Sequence, residues 1–155
     1  MKLSTKARYG TRALLDLAVH TDDGPVQIRK IAKRQEISER YLWHLLDYLR
    51  GAGLVRGVRG SRGGFVLARD PSEIKLSDLL QILEGPIAIV DCVGLEICDR
   101  ADRCVTREIW SLLNRTFVDV LDSITLADLV ERLGVAEKKF GQRAASEKDD
   151  PDRVE

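Results

Sequence analysis

The stretch from Ser38 to Ala68 leaves this chain few ways to fold. Leu42, Leu45, Leu46 and Leu49 recur at i, i+3, i+4 and i+7. That spacing stacks four leucines on one face of a helix running from about Glu39 to Ala52, and the face demands a core. Ser38 precedes the helix as a cap, and Gly51 and Gly53 stop it. Two short β-like runs follow at once, Leu54–Val58 and Phe65–Ala68, joined by Arg59-Gly60-Ser61-Arg62-Gly63-Gly64. Two strands around a glycine-rich basic tip read as a hairpin.

The residues before Ser38 supply what the leucine face packs on. Ser4 or Thr5 caps a first helix to about His20, with Ala7, Leu14, Leu15, Leu17, Ala18 and Val19 forming its buried side. The cluster Asp22-Asp23-Gly24-Pro25 ends it. A short helix, about Gln27 to Arg34, turns Ile28, Ile31 and Ala32 inward, and Gln35-Glu36-Ile37 makes a tight turn. Helix, short helix, tight turn, helix and basic hairpin is the order of a winged helix-turn-helix. The expected class is therefore mainly α, with a small β-hairpin wing.

A recognition helix buries one face and presents the other to the major groove, reading bases chiefly from its N-terminal turns. With the leucines inward, Arg40, Tyr41, Trp43, His44 and Asp47 lie on or near the open side. Ser38, Arg40, Tyr41 and His44 are the leading DNA contacts, with Trp43 beside them. In the wing, glycines such as Gly60 let the backbone approach a sugar–phosphate surface, and Arg59 and Arg62 reach phosphates or the minor groove. Read singly, His44 is also compatible with an ordinary surface histidine, and Trp43 with a core or interface residue.

Charge divides along the same line. The 25 Lys+Arg and 25 Asp+Glu cancel overall. Residues 1–70 carry 14 basic and 7 acidic side chains, a net of +7, so residues 71–155 carry 11 and 18, a net of −7. Only the first half is suited to a polyanion. No window holds the roughly 18 consecutive apolar residues of a membrane helix, so no membrane partner is expected. The opening residues lack the apolar core of an export signal, which points to a cytoplasmic protein.

Past Asp70-Pro71 a fourth helix spans about Leu76 to Glu84, closed by Gly85-Pro86. A long amphipathic helix, Val105–Ile124, carries Val105, Ile109, Leu112, Leu113, Phe117, Val120, Leu121 and Ile124 on one face, with Trp110 beside them. Its length and late position suit pairing with a twin, since two-fold dimers are the commonest assembly. Ile109, Leu112, Leu113, Phe117, Val120 and Leu121 are the expected dimerisation residues. Thr125 caps a short closing helix, Leu126–Leu133, and the polar residues 136–155 read as a disordered tail. The organisation expected is a DNA-binding domain at 1–85, a cysteine loop at 86–104, dimerisation and closing helices at 105–135, and the tail.

The chain has three cysteines, Cys92, Cys98 and Cys104, in the spacing C-x5-C-x5-C. Zinc knuckles use tighter pairs. Evenly spread thiolates suit an object larger than one ion, and an iron–sulfur cluster is held mainly by cysteine thiolates. A zinc site with a fourth ligand, and bare sensor thiols, stay open at this point. So does a non-DNA-binding iron–sulfur or redox protein, although it has no use for a basic wing. Nothing supports an enzyme: there are no paired carboxylates, no Ser/His/Asp set and no phosphate loop.

Over about residues 1–133 the chain resembles the bacterial IscR/NsrR-type winged-helix regulators. The resemblance rests on Met1 to Gly10 in the first helix, and on Gly53-Leu54-Val55, Val58-Arg59-Gly60 and Gly63-Gly64-Phe65 in the wing. It continues through Cys92, Cys98 and Cys104, then Trp110 and Ile124-Thr125-Leu126. It implies a homodimer on double-stranded DNA at a partly palindromic operator, most often as a repressor. It also implies a cluster on the three cysteines, with 2Fe–2S favoured and 4Fe–4S open. IscR-like members place a histidine ligand three residues after the third cysteine, where this chain has Arg107. NsrR-like members use an acidic residue early in helix one, where this chain has Arg8. Arginine stays protonated and does not ligate metals. The fourth-ligand candidates are Glu108, Glu96, Asp99, Asp102 and His20, or a small molecule. Several relatives carry Glu or Gln in place of Trp43-His44, which points to a different operator preference.

Overall fold

The computed structural model describes residues 3–20, 24–94 and 100–134. Helix α1 spans Thr5–Val19, and the Ser4 hydroxyl caps it by accepting from the Ala7 N–H at 3.2 Å. Helix α2 spans Ile28–Gln35 and ends at Glu36, a non-glycine residue in the left-handed region with φ 54°. Helix α3 spans Glu39–Gly51, capped by the Ser38 hydroxyl, which accepts from the Tyr41 N–H at 3.3 Å. Leu42, Leu45, Leu46 and Leu49 are buried against α1 and α2, as their spacing predicts.

A buried charge fixes how these helices meet. Asp16 of α1 is 4% exposed. It accepts from the Arg34 guanidinium (Nε at 2.8 Å) and from Gln35 Nε2 at 3.0 Å, both at the end of α2. Arg12 reaches Gln35 from the same helix, at 3.1 Å from Oε1. The turn between α2 and α3 therefore hangs from α1 by side chains as well as by apolar packing. At the opposite face of α1, Gly10 admits α4: a Cβ there would lie 2.6 Å from a Leu83 methyl.

The wing is β1 (Val55–Val58) paired antiparallel with β2 (Gly64–Leu67), Val55 opposite Leu67 and Val58 opposite Gly64. The second strand begins one residue earlier than its sequence pattern suggests. Gly64 lies against the Val26 backbone, where a Cβ would come 2.3 Å from a carbonyl oxygen. Val26 and Phe65 then exchange two backbone hydrogen bonds of 2.9 Å, which ties the wing to the start of α2.

After a 3-10 turn at Pro71–Glu73, α4 runs Leu76–Glu84. The cysteine segment contains elements its sequence does not announce: a single helical turn, α5 (Asp91–Gly94), and a 3-10 turn at Ala101–Arg103. Helix α6 spans Val105–Asp122 and packs on α4 and α5. Its C-terminal end is clasped to the start of α4. The Leu76 N–H donates to the Ile124 carbonyl and the Leu126 N–H to the Ile74 carbonyl, each at 2.8 Å, and the Ser77 hydroxyl bonds Asp122. A closing helix, α7, covers residues 126–134. The expected tail at 136–155 lies outside the described residues.

Candidate nucleic-acid interface and cysteine segment

The open side of α3 divides into two flanks. On one, Trp43 is 50% exposed and stands in an open groove of about 540 Å³ between α3 and the wing. Arg59, Gly60 and Ser61 form the wing wall; Gln27 and Arg29 at the start of α2 form another, and Glu39 and Arg50 come from α3 itself. On the other flank, Tyr41 and His44 line a shallow apolar depression of about 180 Å³ with Lys6, Leu45 and Tyr48. Tyr41 meets Tyr9 edge to face at 6.0 Å, and the Lys6 ammonium sits 3.7 Å from the Tyr48 ring centre.

The expected DNA contacts thus separate. Trp43, Arg59 and Gly60 share the groove, whereas Tyr41 and His44 line the depression on the other flank, the His44 ring still meeting the Trp43 ring edge to face at 5.3 Å. Arg40 and Arg62 are exposed, and Ser38 spends its hydroxyl on the helix cap. Asp47, read as an open-face residue, pairs with Arg50. Sequence reasoning missed Gln27, Arg29, Glu39 and Arg50 as groove residues. Arg29 is the one that carried a signal, a cation in the first turn of α2. Such a surface offers guanidinium groups to phosphates and one large indole to base edges, the division between positioning and reading that DNA recognition uses.

The cysteine segment meets the root of α6. Cys92 lies in α5, which packs on α6, and Cys104 is the N-cap residue of α6 with no side-chain cap of its own. Cys104 Sγ is 3.2 Å from the Thr106 hydroxyl. That contact, aided by the Arg107 backbone N–H and charge, holds the thiol below its ordinary pKa. Both cysteines are free and partly exposed. Cys98, Glu96 and Asp99 lie outside the described residues. Among the described residues no three metal-binding side chains converge. Asp102 and Glu108 are exposed, and His20 turns Nδ1 to the Asp16 carbonyl at 2.8 Å. Thiols outside any disulfide, one of them with a lowered pKa, fit the donor chemistry of an iron–sulfur cluster.

The apolar stripe of α6 also divides. Leu121 is 7% exposed in the core of its own chain, and Phe117 packs against that core. Of these two expected dimerisation residues, Leu121 is buried in its own chain and Phe117 is half-buried. Ile109, Leu112, Leu113 and Val120 remain exposed.

The Rrf2 family model, described as an iron-dependent transcriptional regulator, matches residues 3–132. The chain belongs to the Rrf2 family. It is 39% identical over 137 residues to the HTH-type transcriptional regulator IscR of Yersinia enterocolitica, covering 88% of this chain and 84% of that one. IscR of Serratia proteamaculans is 40% identical over 135 residues, covering 87% and 82%. Among solved structures, CymR, the global cysteine regulator of B. subtilis, superposes with a TM-score of 0.73 at 40% identity, covering 85% of this chain and 98% of that one. T. potens IscR superposes with a TM-score of 0.71 at 43% identity, covering 86% and 88%. This Rrf2 chain is accordingly a transcriptional regulator of the IscR type on a winged-helix, DNA-binding fold, and its relatives are named as regulators, not enzymes. Among the described residues no helix is long and apolar enough to cross a membrane.

Proposed function

We propose that two copies of this chain pair through α6 and bind a partly palindromic operator. Affinity for that operator is set by an iron–sulfur cluster on Cys92, Cys98 and Cys104. One observation carries the reading: the cysteine-bearing turn α5 packs on α6, Cys104 begins α6, and α6 keeps an unpaired apolar face. A change at the cysteines acts first on the helix that would set the distance between two recognition helices. Half-sites about one helical turn apart need that distance to be right.

In this reading Arg29 and Arg59 anchor phosphates on either side of the groove, and Trp43 offers an apolar face to thymine methyl groups. Tyr41, His44 and Lys6 follow the neighbouring backbone. Cys92, Cys98 and Cys104 would hold the cluster through their thiolates, and the cluster would supply iron–thiolate bonds linking the three. Thr106 and the first-turn N–H groups of α6 lower the pKa of Cys104, which favours its ligating thiolate form. Arg107 adds charge without ligating, and the fourth ligand comes from Glu108, Asp102, Glu96, Asp99, His20 or a small molecule.

Anaerobic purification tests the cluster through iron and sulfide content and a visible chromophore. Fluorescence anisotropy on a fragment from the gene's own upstream region tests the control, with a cluster-dependent change in affinity expected. Absence of DNA binding in every cysteine state overturns the reading. A second reading, control by bare thiols, is favoured by the lowered pKa of Cys104 and by similarity to CymR chains, one of them solved in an oxidised form. It predicts an iron-free, colourless protein even after reconstitution, with operator affinity that responds to thiol oxidation alone.

A further inference from the structure

Between the recognition helix and the cysteine segment lies a stretch held at both ends by side chains that neither DNA contact nor cysteine chemistry explains. Tyr48 stands on α3, two residues before Arg50. Its ring lies under the Lys6 ammonium, and its hydroxyl donates to the Ile82 carbonyl of α4 at 2.8 Å. Two residues on, Glu84 accepts from the Ser4 backbone N–H at 3.2 Å and from the Ser4 hydroxyl, at the start of α1. The chain then passes Gly85, with φ 89°, and Pro86. On the far side Asn114 of α6 grips it again: Oδ1 accepts from the Ile89 N–H at 2.9 Å, and Nδ2 donates to the Ile87 carbonyl at 3.4 Å. Three residues later comes Cys92.

A carbonyl in the last turn of a helix has no partner within that helix, so a bond from another element is free to form or break without unravelling it. Tyr48 makes such a bond. We infer that Tyr48 and Asn114 are positioning residues that couple the cysteine segment to the recognition helix through residues 82–89. The inference rests on the proposed control of DNA binding by the cysteines. Asn114 makes residues 87–89 follow α6 and α5, and Tyr48 sets α3 against whatever position residue 82 takes. Coupling of this kind requires that the two contacts differ in strength between the two cysteine states. It is also reciprocal in binding free energy, so operator binding must alter the affinity of the cysteines for the cluster, and a change in the exposure of Cys92 is the expected readout.

The experiment uses the full chain with Tyr48→Phe, which keeps the ring under Lys6 and removes only the hydroxyl, and with Asn114→Ala. Two ratios are measured. One is operator affinity in the cluster-loaded against the cluster-free, reduced protein. The other is the iodoacetamide alkylation rate of Cys92 in the reduced, cluster-free protein with and without operator DNA, read by peptide mass spectrometry. The second ratio does not depend on loading. Each variant is expected to shrink both ratios by about two- to tenfold, the worth of one net hydrogen bond. Operator affinity in one state should stay within a factor of about two of wild type. Circular dichroism melting identifies a variant that fails to fold, and Asn114→Ser then replaces Asn114→Ala. Wild-type ratios above one that both variants preserve overturn the inference. So does an equal loss of affinity in both states, which marks a purely structural role. If the wild type itself shows no effect of cysteine state on DNA binding, the proposed function fails first and this inference with it.

Discussion

Helices α3 and α6 carry apolar stripes of the same period. In α3, Leu42, Leu46 and Leu49 have no exposed surface and Leu45 has 3%. In α6, Ile109, Leu112, Leu113 and Val120 keep 45–58% of theirs. The contrast follows from neighbours. Helix α3 packs on α1, α2 and β1, all within about 35 residues of it in sequence, whereas α6 packs chiefly on α4 and α5. Periodicity announces that a helix has a face to bury. Whether its own chain or another covers that face depends on how many elements remain to pack, and by α6 few remain.

The largest expected effect comes from charging the uncovered face. In a two-fold interface each residue appears twice. A buried leucine is worth about 1.5–3 kcal/mol, so Leu112→Glu should weaken the proposed dimer by about 3–6 kcal/mol. Sedimentation velocity should find a monomer at micromolar concentration, with operator affinity down at least about a hundredfold. A dimer that persists would mean that another surface holds the copies together.

The head breaks differently, from inside. Asp16→Ala leaves the Arg34 guanidinium facing a hole that its carboxylate filled, and deprives Gln35 of its acceptor. Removing one partner of a buried pair costs about 3–5 kcal/mol, and since the Arg34 side chain is 33% exposed the lower figure applies. Chemical denaturation should show a loss of about 3 kcal/mol. A loss below about 1 kcal/mol would show that apolar packing alone orients α1 on α2.

The same contrast accounts for what the sequence conveyed. The three helices, the hairpin and the inward leucines follow from local signals: Ser38 before a periodic run, glycines after it, alternation around Arg59-Gly60. Those signals are strong because each element packs on a near neighbour. The single turn α5 is too short to show a period, and the bonds from Asn114 to residues 87 and 89 join residues 27 and 25 positions apart and leave no periodic trace. Tyr48, 34 residues from Ile82, was hidden for the same reason. The candidate groove was half visible. Trp43 and Arg59 stood out by type and position, but Gln27 and Arg29 enter it only because Val26 bridges Phe65 and draws the start of α2 against the wing. The helical period of α6 does not tell an intrachain neighbour from a partner: Leu121 on the same stripe is buried in its own chain.

A smaller effect probes the DNA side of the head. Arg59 is exposed at the wing tip, with no partner among the bonds of the described fold that would have to be broken to reach a phosphate. Arg59→Ala should weaken binding about tenfold across operator variants and lower the slope of log affinity against log salt by about one. A loss confined to one sequence would instead assign Arg59 to base reading in the minor groove.

The smallest effect returns to the start of α6, where the two helices differ in their caps. Ser38 spends its hydroxyl on the Tyr41 N–H. Cys104 provides no such cap, and the first hydroxyl of α6, on Thr106, faces the cysteine sulfur. A hydrogen bond to the thiolate favours the charged form, so the Cys104 pKa lies below that of an ordinary thiol. More thiolate is then present at neutral pH, and alkylation should fall only as pH drops through that lowered pKa. Thr106→Val removes the donor and should shift the fall to higher pH, slowing alkylation of Cys104 several-fold at pH 7 while leaving Cys92 unchanged. Alkylation profiles for each cysteine, resolved by mass spectrometry on the reduced protein, check the prediction. If Cys104 and its Thr106→Val variant titrate alike, the thiolate is held by the helix terminus and Arg107, and the cap of α6 matters more than its first hydroxyl.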